Sequence, residues 1–210
     1  MAPRRPIYLD HQATTPADPR VVDAMLPFFQ EDYGNAASKS HVYGWRAETA
    51  VEQARKTIAA ALGAEPREIV FTSGATESNN LALLGSVGGF LASSSTQGRN
   101  HFITVETEHR AVLDPCAWLE TRGFEVTRLG VDSAGLVDPE AIKAAIQSRT
   151  RLVSVMAAHN EIGVLQPIEE IGRICREAGV WFHSDAAQAV GKIPLDVDRL
   201  QVDLLSMSFH

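Results

Sequence analysis

The chain has 210 residues, 45% of them apolar and 21% charged, and its 26 acidic and 19 basic residues give a formal net charge of −7. This composition is typical of a globular domain with one hydrophobic core. The acidic balance argues against a nucleic-acid partner, because such a partner is bound by a basic surface. No apolar run is as long as the ~18 residues of a transmembrane helix, so we predict no membrane association.

In chain order, short β-branched runs alternate with segments of helical periodicity. Strands are predicted at 69–72, 102–105, 126–129, 152–156, 180–183 and 202–206. Helices are predicted at 41–62, 76–91, 110–122, 139–146 and 168–178. The fourth helix has a clear start, with Asp138 as its cap and Pro139 in its first turn. This alternation predicts an α/β fold with a mainly parallel sheet and helices on both faces.

Cys116 and Cys175 are the two cysteines of the chain. Two thiols do not make a disulfide framework or a zinc site, and their small number is typical of a reducing compartment. We predict that both are buried as small apolar residues, and we predict no metal site.

The residues that follow each predicted strand are the candidates for function, because parallel α/β sheets bind ligands beyond the carboxyl ends of their strands. Five such segments, each with polar or ionisable side chains, are 73–78, 106–109, 157–161, 184–188 and 207–210. Their repeated His, Asp, Asn and Gln residues indicate a polar site at one edge of the sheet.

The segment Ser73-Gly74-Ala75-Thr76 joins a predicted strand to a predicted helix. Free N–H groups of the first helical turn, the helix dipole and the Thr76 hydroxyl form a potential anion site. With one glycine, the segment matches neither the phosphate loop of NTPases nor the dinucleotide fingerprint, and a single phosphate suits it better. An ordinary capped helix is the alternative interpretation.

Asp185 follows the fifth predicted strand. A carboxylate at a strand end can stay ionised and pair with a protonated ring nitrogen, as the chemistry of pyridoxal 5'-phosphate (PLP) requires. His183 and Asp185 could instead bind a metal from one face of the strand, although no second cluster of ligands is evident in the sequence.

Three further side chains at strand ends fit a flat cofactor. His109 could stack on a ring and move protons, because imidazole titrates near neutrality; a surface or helix-capping histidine is the alternative. Asn160 and Gln188 could reach a phenolic oxygen, or they could serve only as hydrogen-bonding residues of loops.

Six long motifs, which occur in order along nearly the whole chain, resemble one family. They are Tyr8–Pro16 (YLDHQATTP), Tyr33–Ser38 (YGNAAS), Phe71–Asn80 (FTSGATESNN), Thr107–Leu113 (TEHRAVL), Asn160–Val164 (NEIGV) and His183–Lys192 (HSDAAQAVGK). On these motifs the chain is similar to class I cysteine desulfurases of the IscS/NifS type, including the mitochondrial form.

The resemblance implies a fold-type I PLP-dependent transferase, an obligate homodimer that takes sulfur from L-cysteine, leaves alanine and forms an enzyme persulfide. It also implies roles for single residues. Four would hold the cofactor phosphate: Ala75, Thr76, Ser208 and His210. Asp185 would pair with the ring nitrogen and Gln188 with the phenolic oxygen. His109 would stack on the ring and act as the catalytic residue, Asn160 would lie near cofactor and substrate, and Asn35 near the substrate.

The family motif Ser-x-His-Lys is matched by Ser208-Phe209-His210, and we expect the cofactor lysine at the next position. Either a PLP-modified lysine interrupts the sequence there, or the chain is a fragment. The persulfide cysteine, the arginine for the substrate carboxylate and a small C-terminal domain would lie further on. We therefore divide the chain into an N-terminal segment, 1–15, and an incomplete PLP-binding large domain, 16–210. Three residues replace those usual in the family: Ala36, His159 and Phe209.

The leading hypothesis is a PLP-dependent cysteine desulfurase for the synthesis of iron–sulfur clusters and thio-cofactors, with an iron–sulfur scaffold or another persulfide acceptor as its partner. A related PLP lyase such as selenocysteine lyase stays open, as does a non-catalytic fragment that acts only in interactions. Any link to nucleic acid would be indirect, through tRNA thiolation. We expect a cytoplasmic protein or, alternatively, one of the mitochondrial matrix.

Overall fold

The computed structural model describes residues 6–88 and 98–209 of the chain. The helices are α1 Pro19–Gln30, α2 Val42–Leu62, α3 Ala75–Gly85, α4 Arg110–Thr121, α5 Pro139–Ala145, α6 Ile168–Ala178 and α7 Val197–Leu200. The strands are β1 His101–Val105, β2 Glu125–Leu129, β3 Thr150–Ser154, β4 Trp181–Asp185 and β5 Leu204–Ser206. From β1 onward, strands alternate with helices as the sequence pattern predicts.

The five strands form one sheet in the order β2-β1-β3-β4-β5, and every neighbouring pair runs parallel. A helical connection returns the chain to the same end of the sheet before each new strand, as parallel pairing requires. The predicted α/β fold with a parallel sheet is thus confirmed, and the carboxyl ends of all five strands lie at one edge.

Helices cover both faces of the sheet. Successive residues of a strand point to opposite sides, so each strand contributes to both packed layers. Phe102 of β1 and Leu152 of β3 pack with α3 and α4 on one face. Their neighbours Ile103 and Val153 pack with α2, α5 and α6 on the other face. Cys116 and Cys175 are each buried in one of these two clusters, as predicted.

Two buried histidines connect neighbouring strands through hydroxyl groups. The ring nitrogens of His101 on β1 lie 2.8 and 2.9 Å from threonine hydroxyls of β3 and β2. Those of His183 on β4 lie 2.8 Å from the Ser154 hydroxyl and 3.0 Å from that of Ser206. Burial lowers the pKa of His101, and it lowers the pKa of His183 to about 4. Both rings are therefore neutral at neutral pH.

The predicted strand at 69–72 is wrong. Ile69 has an extended backbone, but the segment pairs with no strand in the described part of the chain. The Ile69 carbonyl instead accepts from the Arg55 side chain, whose guanidinium lies 4.8 Å from the centre of the Phe71 ring. A groove of about 830 Å³ is lined by this segment and by β5. A β-branched composition does not make a strand without a hydrogen-bonded neighbour.

The other predicted elements are confirmed, and apart from the helix 76–91 their ends shift by no more than two residues. The predicted helix 76–91 begins at Ala75 and ends at Gly85, and its positions 89–91 lie outside the described residues. Helices α1 and α7 are not among the predicted ones; α1 has no buried residue. None of the described helices is long and apolar enough to cross a membrane.

Candidate active site

A cavity of about 530 Å³ lies at the carboxyl ends of the strands. Seven of the predicted site residues line it: Ala75, Thr76, His109, Asn160, Asp185, Gln188 and Ser208. They come from the last residue of β4, from the segments that follow β1, β3, β4 and β5, and from the start of α3, and the parallel topology brings these segments together.

Two predicted site residues are not part of this lining. Asn35 is exposed, and its Oδ1 accepts the N–H of Ala37 at 2.8 Å, so that its side chain closes a turn of its own loop. His210 lies outside the described residues. The substrate role of Asn35 and the phosphate role of His210 stay predictions.

Helix α3 begins at the cavity and supplies N–H groups there. The first turn of an α-helix has N–H groups without intrahelical acceptors, and the helix dipole attracts an anion to this end. The N–H of Ser73 already donates to the Glu77 carboxylate at 2.6 Å. Hydrogen bonds from the side chain and then the backbone of Ser73 lower the pKa of Glu77. This leaves the N–H groups of Ala75 and Thr76 for a ligand.

Asp185 is the last residue of β4 and is only 6% exposed. Its Oδ2 accepts from Nδ2 of Asn79 at 2.7 Å, and its Oδ1 accepts from the N–H of Ala187 at 3.0 Å. Both donors are neutral. They hold the carboxylate in place without cancelling its charge, which therefore stays available to a cation inside the cavity.

His109 is the N-cap of α4, and its Nδ1 accepts the N–H of Ala111 at 3.1 Å. A nitrogen that accepts a hydrogen bond carries no proton, so the neutral ring has its proton on Nε2. The helix-capping alternative is correct for Nδ1. His109 also lines the cavity, so the capping role is compatible with the predicted stacking role, which stays a prediction.

Gln188 links the cavity to the N-terminal segment. Its Nε2 donates to the carbonyl of Gln12 at 3.1 Å, and its Oε1 accepts from Nζ of Lys192 at 2.7 Å. Asp10 and Ala13 also line the cavity, so the described part of segment 1–15 forms one of its walls. The division of the chain at residue 15 remains a prediction.

Other lining residues were not predicted as part of the site. Asn79 lies four residues after Ala75 in α3 and hence on the same helix face, a spacing that would have indicated it. Met156 and Ala158 line the cavity just beyond β3, but their apolar side chains give no functional signal.

A metal at Asp185 has little support. Within residues 6–88 and 98–209, no group of three or more His, Cys, Asp and Glu side chains could hold a metal ion. His183, the suggested second ligand, is enclosed in the sheet by two serine hydroxyls.

The family profile described as Aminotransferase class-V matches residues 7–210. A "Cysteine desulfurase, mitochondrial" of Arthroderma benhamiae is 57% identical over 206 residues, which are 98% of this chain and 40% of that protein. "Cysteine desulfurase IscS" of Rickettsia felis is 55% identical over 208 residues, 99% of this chain and 50% of that protein. Among solved structures, "SspA in complex with cysteine" is 39% identical with a TM-score of 0.90, covering 97% of this chain and 57% of that one.

The chain thus spans half or less of the length of these two curated relatives. Their identity confirms the resemblance that the six motifs indicate, and the structural match confirms the fold. The chain belongs to the class-V aminotransferase family.

Proposed function

We propose that the full-length protein is a PLP-dependent cysteine desulfurase, which removes sulfur from L-cysteine, leaves alanine and carries the sulfur as a persulfide. The observation that carries this proposal is the Asp185 carboxylate. It is buried and shares one cavity with His109 and the first turn of α3, and its donors among the described residues, Asn79 and Ala187, are both neutral. A PLP site needs these groups in addition to its lysine, which we expect after His210.

The family is PLP-dependent, and the cavity residues fit that cofactor. The N–H groups of Ala75 and Thr76, with the Ser208 side chain, would hold the phosphate. Asp185 would bind the ring nitrogen, since an ionised carboxylate favours the protonated pyridine. Gln188 would donate to the phenolic oxygen from its Nε2.

Bound PLP supplies an electron sink that stabilises negative charge on the substrate carbon. Asp185 strengthens this sink by holding a proton on the ring nitrogen. His109 lies with its ring at the cavity and its proton on Nε2, where it would stack on the cofactor and move a proton at that atom. Asn160 would orient the substrate beside the cofactor.

The proposed reaction needs no external oxidant or reductant. One enzyme thiol and L-cysteine give alanine and one enzyme persulfide: the carbon–sulfur bond is replaced by a carbon–hydrogen bond, and a sulfur–sulfur bond forms. Burial raises the pKa of both Cys116 and Cys175 to about 12, so neither thiol supplies a nucleophile. We expect the persulfide cysteine and the substrate-binding arginine in the portion of the relatives that this chain does not span.

We also propose the partners and the location that accompany this activity. The apolar side chains of α1 are exposed, including Phe28 and Phe29, which supports a homodimer or another covering partner. An iron–sulfur scaffold or another persulfide acceptor would take the sulfur. The relatives include bacterial and mitochondrial proteins, and we propose the cytoplasm, with the mitochondrial matrix as the alternative. Residues 16–210 would belong to the PLP-binding large domain.

The test compares the full-length protein with its Asp185→Ala variant and with Asp198→Ala, which changes an exposed residue of α7. Wild type and Asp198→Ala should release alanine and persulfide sulfur from L-cysteine in equal amounts, whereas Asp185→Ala should lose this activity. Full activity in Asp185→Ala would contradict the assignment of a PLP-dependent cysteine desulfurase. Turnover of L-selenocysteine without turnover of L-cysteine would instead support a selenocysteine lyase.

A further inference from the structure

The backbone just beyond β3 lines the cavity. It is hydrogen-bonded to β4, and the carbonyl of Ala157 also accepts the N–H of Gln166 at 3.1 Å. The N–H groups of Val155 and Ala157 donate to the carbonyls of His183 and Asp185 at 3.1 and 2.8 Å, so both point towards β4. Met156 lies between them. Because successive N–H groups of an extended chain point to opposite sides, that of Met156 points towards β1.

Strand β1 cannot accept this N–H, because it ends at Val105. The next residue, Glu106, still donates to Leu129 of β2 at 2.9 Å, but Glu108 already turns back to the Val105 carbonyl at 3.3 Å. The Glu108 side chain takes the place of the missing strand: its Oε1 accepts the N–H of Met156 at 2.5 Å. A carboxyl group thus continues the sheet where a backbone carbonyl is absent.

Glu108 is only 6% exposed, and its Oε2 has no partner among the described residues. Burial raises the pKa of Glu108 well above its usual value; the N–H of Met156 opposes this shift, and the charge of Asp185 adds to it. Asp185 has two hydrogen-bond donors and Glu108 has one. An ionised carboxylate with an unpaired buried oxygen is costly, so Glu108 carries a proton.

We propose that Glu108, as a neutral carboxylic acid, is a positioning residue of the active site. It holds the extension of β3, from Met156 to Asn160, against the cavity, and it anchors His109, the next residue of the chain. This inference rests on the proposed function and assigns to it a residue that lies behind the cavity wall and does not line it.

The experiment uses the full-length protein with two substitutions. Glu108→Gln keeps the shape and the accepting oxygen of the neutral acid, whereas Glu108→Met fills a similar volume without an acceptor. Glu106→Gln is the matched control, because Glu106 lies exposed in the same turn. We expect Glu108→Gln to keep kcat within about threefold of wild type, and Glu108→Met to lower it by roughly 100-fold with a much smaller change in KM.

Two readouts do not depend on turnover. Hydrogen exchange at the Met156 amide should be slow in wild type and Glu108→Gln and faster in Glu108→Met, with or without PLP. The pH midpoint of the cofactor absorption band should be unchanged in Glu108→Gln, because that substitution removes no charge.

Several results would overturn the proposal. An equal loss of kcat in both Glu108 variants, or a displaced midpoint in Glu108→Gln, would mean that Glu108 acts as a charged group. Slow exchange at Met156 in Glu108→Met would mean that no anchoring occurs. If Glu108→Met does not fold, the comparison of Glu108→Gln with wild type still shows whether the Glu108 side chain acts as a neutral or as a charged group. A wild-type protein that does not bind PLP would refute the proposed function, and Met156 exchange would still test the anchoring.

Discussion

Asn79 donates from its Nδ2 to Oδ2 of Asp185 at 2.7 Å, although 106 residues separate the two in the chain. Asn79 is fully buried, and its Oδ1 has no partner in the described part of the molecule. The side-chain amide of Asn79 therefore serves as a donor to the Asp185 carboxylate, and it holds that carboxylate at the end of β4, where it faces the cavity.

This contact predicts that Asn79→Ala weakens PLP binding to the full-length protein. A hydrogen bond to a charged group contributes ~1.5–3 kcal/mol, so the Kd for PLP should rise by about tenfold or more. Titration of the apoprotein with PLP, followed by absorbance, measures this. Gln53→Ala, an exposed change in α2, should leave the Kd unaltered. An unchanged Kd in Asn79→Ala would show that Asp185 does not depend on Asn79.

The two roles of His109 can be separated, because asparagine also caps helices while it lacks the imidazole. His109→Asn should keep the free energy of unfolding within about 1 kcal/mol of wild type and yet lower turnover by roughly 10²- to 10⁴-fold. His109→Ala should lose the cap as well as the turnover. Thermal unfolding and alanine release measure the two effects. Normal turnover in a folded His109→Asn variant would leave His109 with the capping role alone.

Neither described cysteine should carry sulfur. In the Cys116→Ala/Cys175→Ala double variant, turnover of L-cysteine should be retained, because both thiols are buried and protonated at neutral pH. The free energy of unfolding should fall by about 1–3 kcal/mol, since each change leaves a small cavity. Turnover assays with mass analysis of the persulfide check both points. A double variant that folds but does not turn over L-cysteine would contradict the prediction that neither thiol carries sulfur.

Gly172 allows α6 to lie close to α7. A Cβ at this position would come within 2.0 Å of the Leu200 carbonyl oxygen, a backbone atom that cannot move alone. Gly172→Ala should therefore lower the free energy of unfolding by about 1–3 kcal/mol. Gly85→Ala is the matched control: its Cβ would meet only Leu81 at 3.7 Å, so this change should be neutral or stabilising. Urea unfolding of both variants tests the contact.

The buried His183 should make the protein less stable in acid. Its pKa falls from 6.5 to about 4 in the folded state, because burial disfavours the charged ring. Below pH 6.5 the unfolded chain therefore binds a proton that the folded chain excludes. Stability from this group is intact above pH 6.5, is lost as the pH falls towards 4, and changes no further below that.

Between pH 6.5 and 4, His183 lowers the free energy of unfolding by about 3 kcal/mol, because each pKa unit corresponds to 1.36 kcal/mol. Urea unfolding of the full-length protein at several pH values measures it. His183→Gln should flatten the profile between pH 6.5 and 4, whereas His11→Gln, which changes an exposed ring, should not. The same slope in wild type and His183→Gln would contradict the assignment.

Much of the fold and of the site could be predicted from the sequence, because local patterns determine both. The predicted bounds of helix α6 are those it has, and its Ile168, Ile171 and Cys175, at helical spacing, are all buried. The alternation of strands and helices predicts a parallel sheet, and a parallel sheet brings all strand ends to one edge. For that reason Asp185 and His109 could be assigned to one site without any known contact.

Tertiary structure alone decided the hydrogen-bond partners of these residues. The strand predicted at 69–72 failed because pairing depends on a distant neighbour, which its β-branched residues cannot specify. The bond from Asn79 to Asp185 and that from Met156 to Glu108 join positions far apart in the chain. Periodicity, caps and turns depend on residues nearby in sequence, whereas a hydrogen-bond partner and the proton of a buried carboxyl depend on which distant groups the fold brings together.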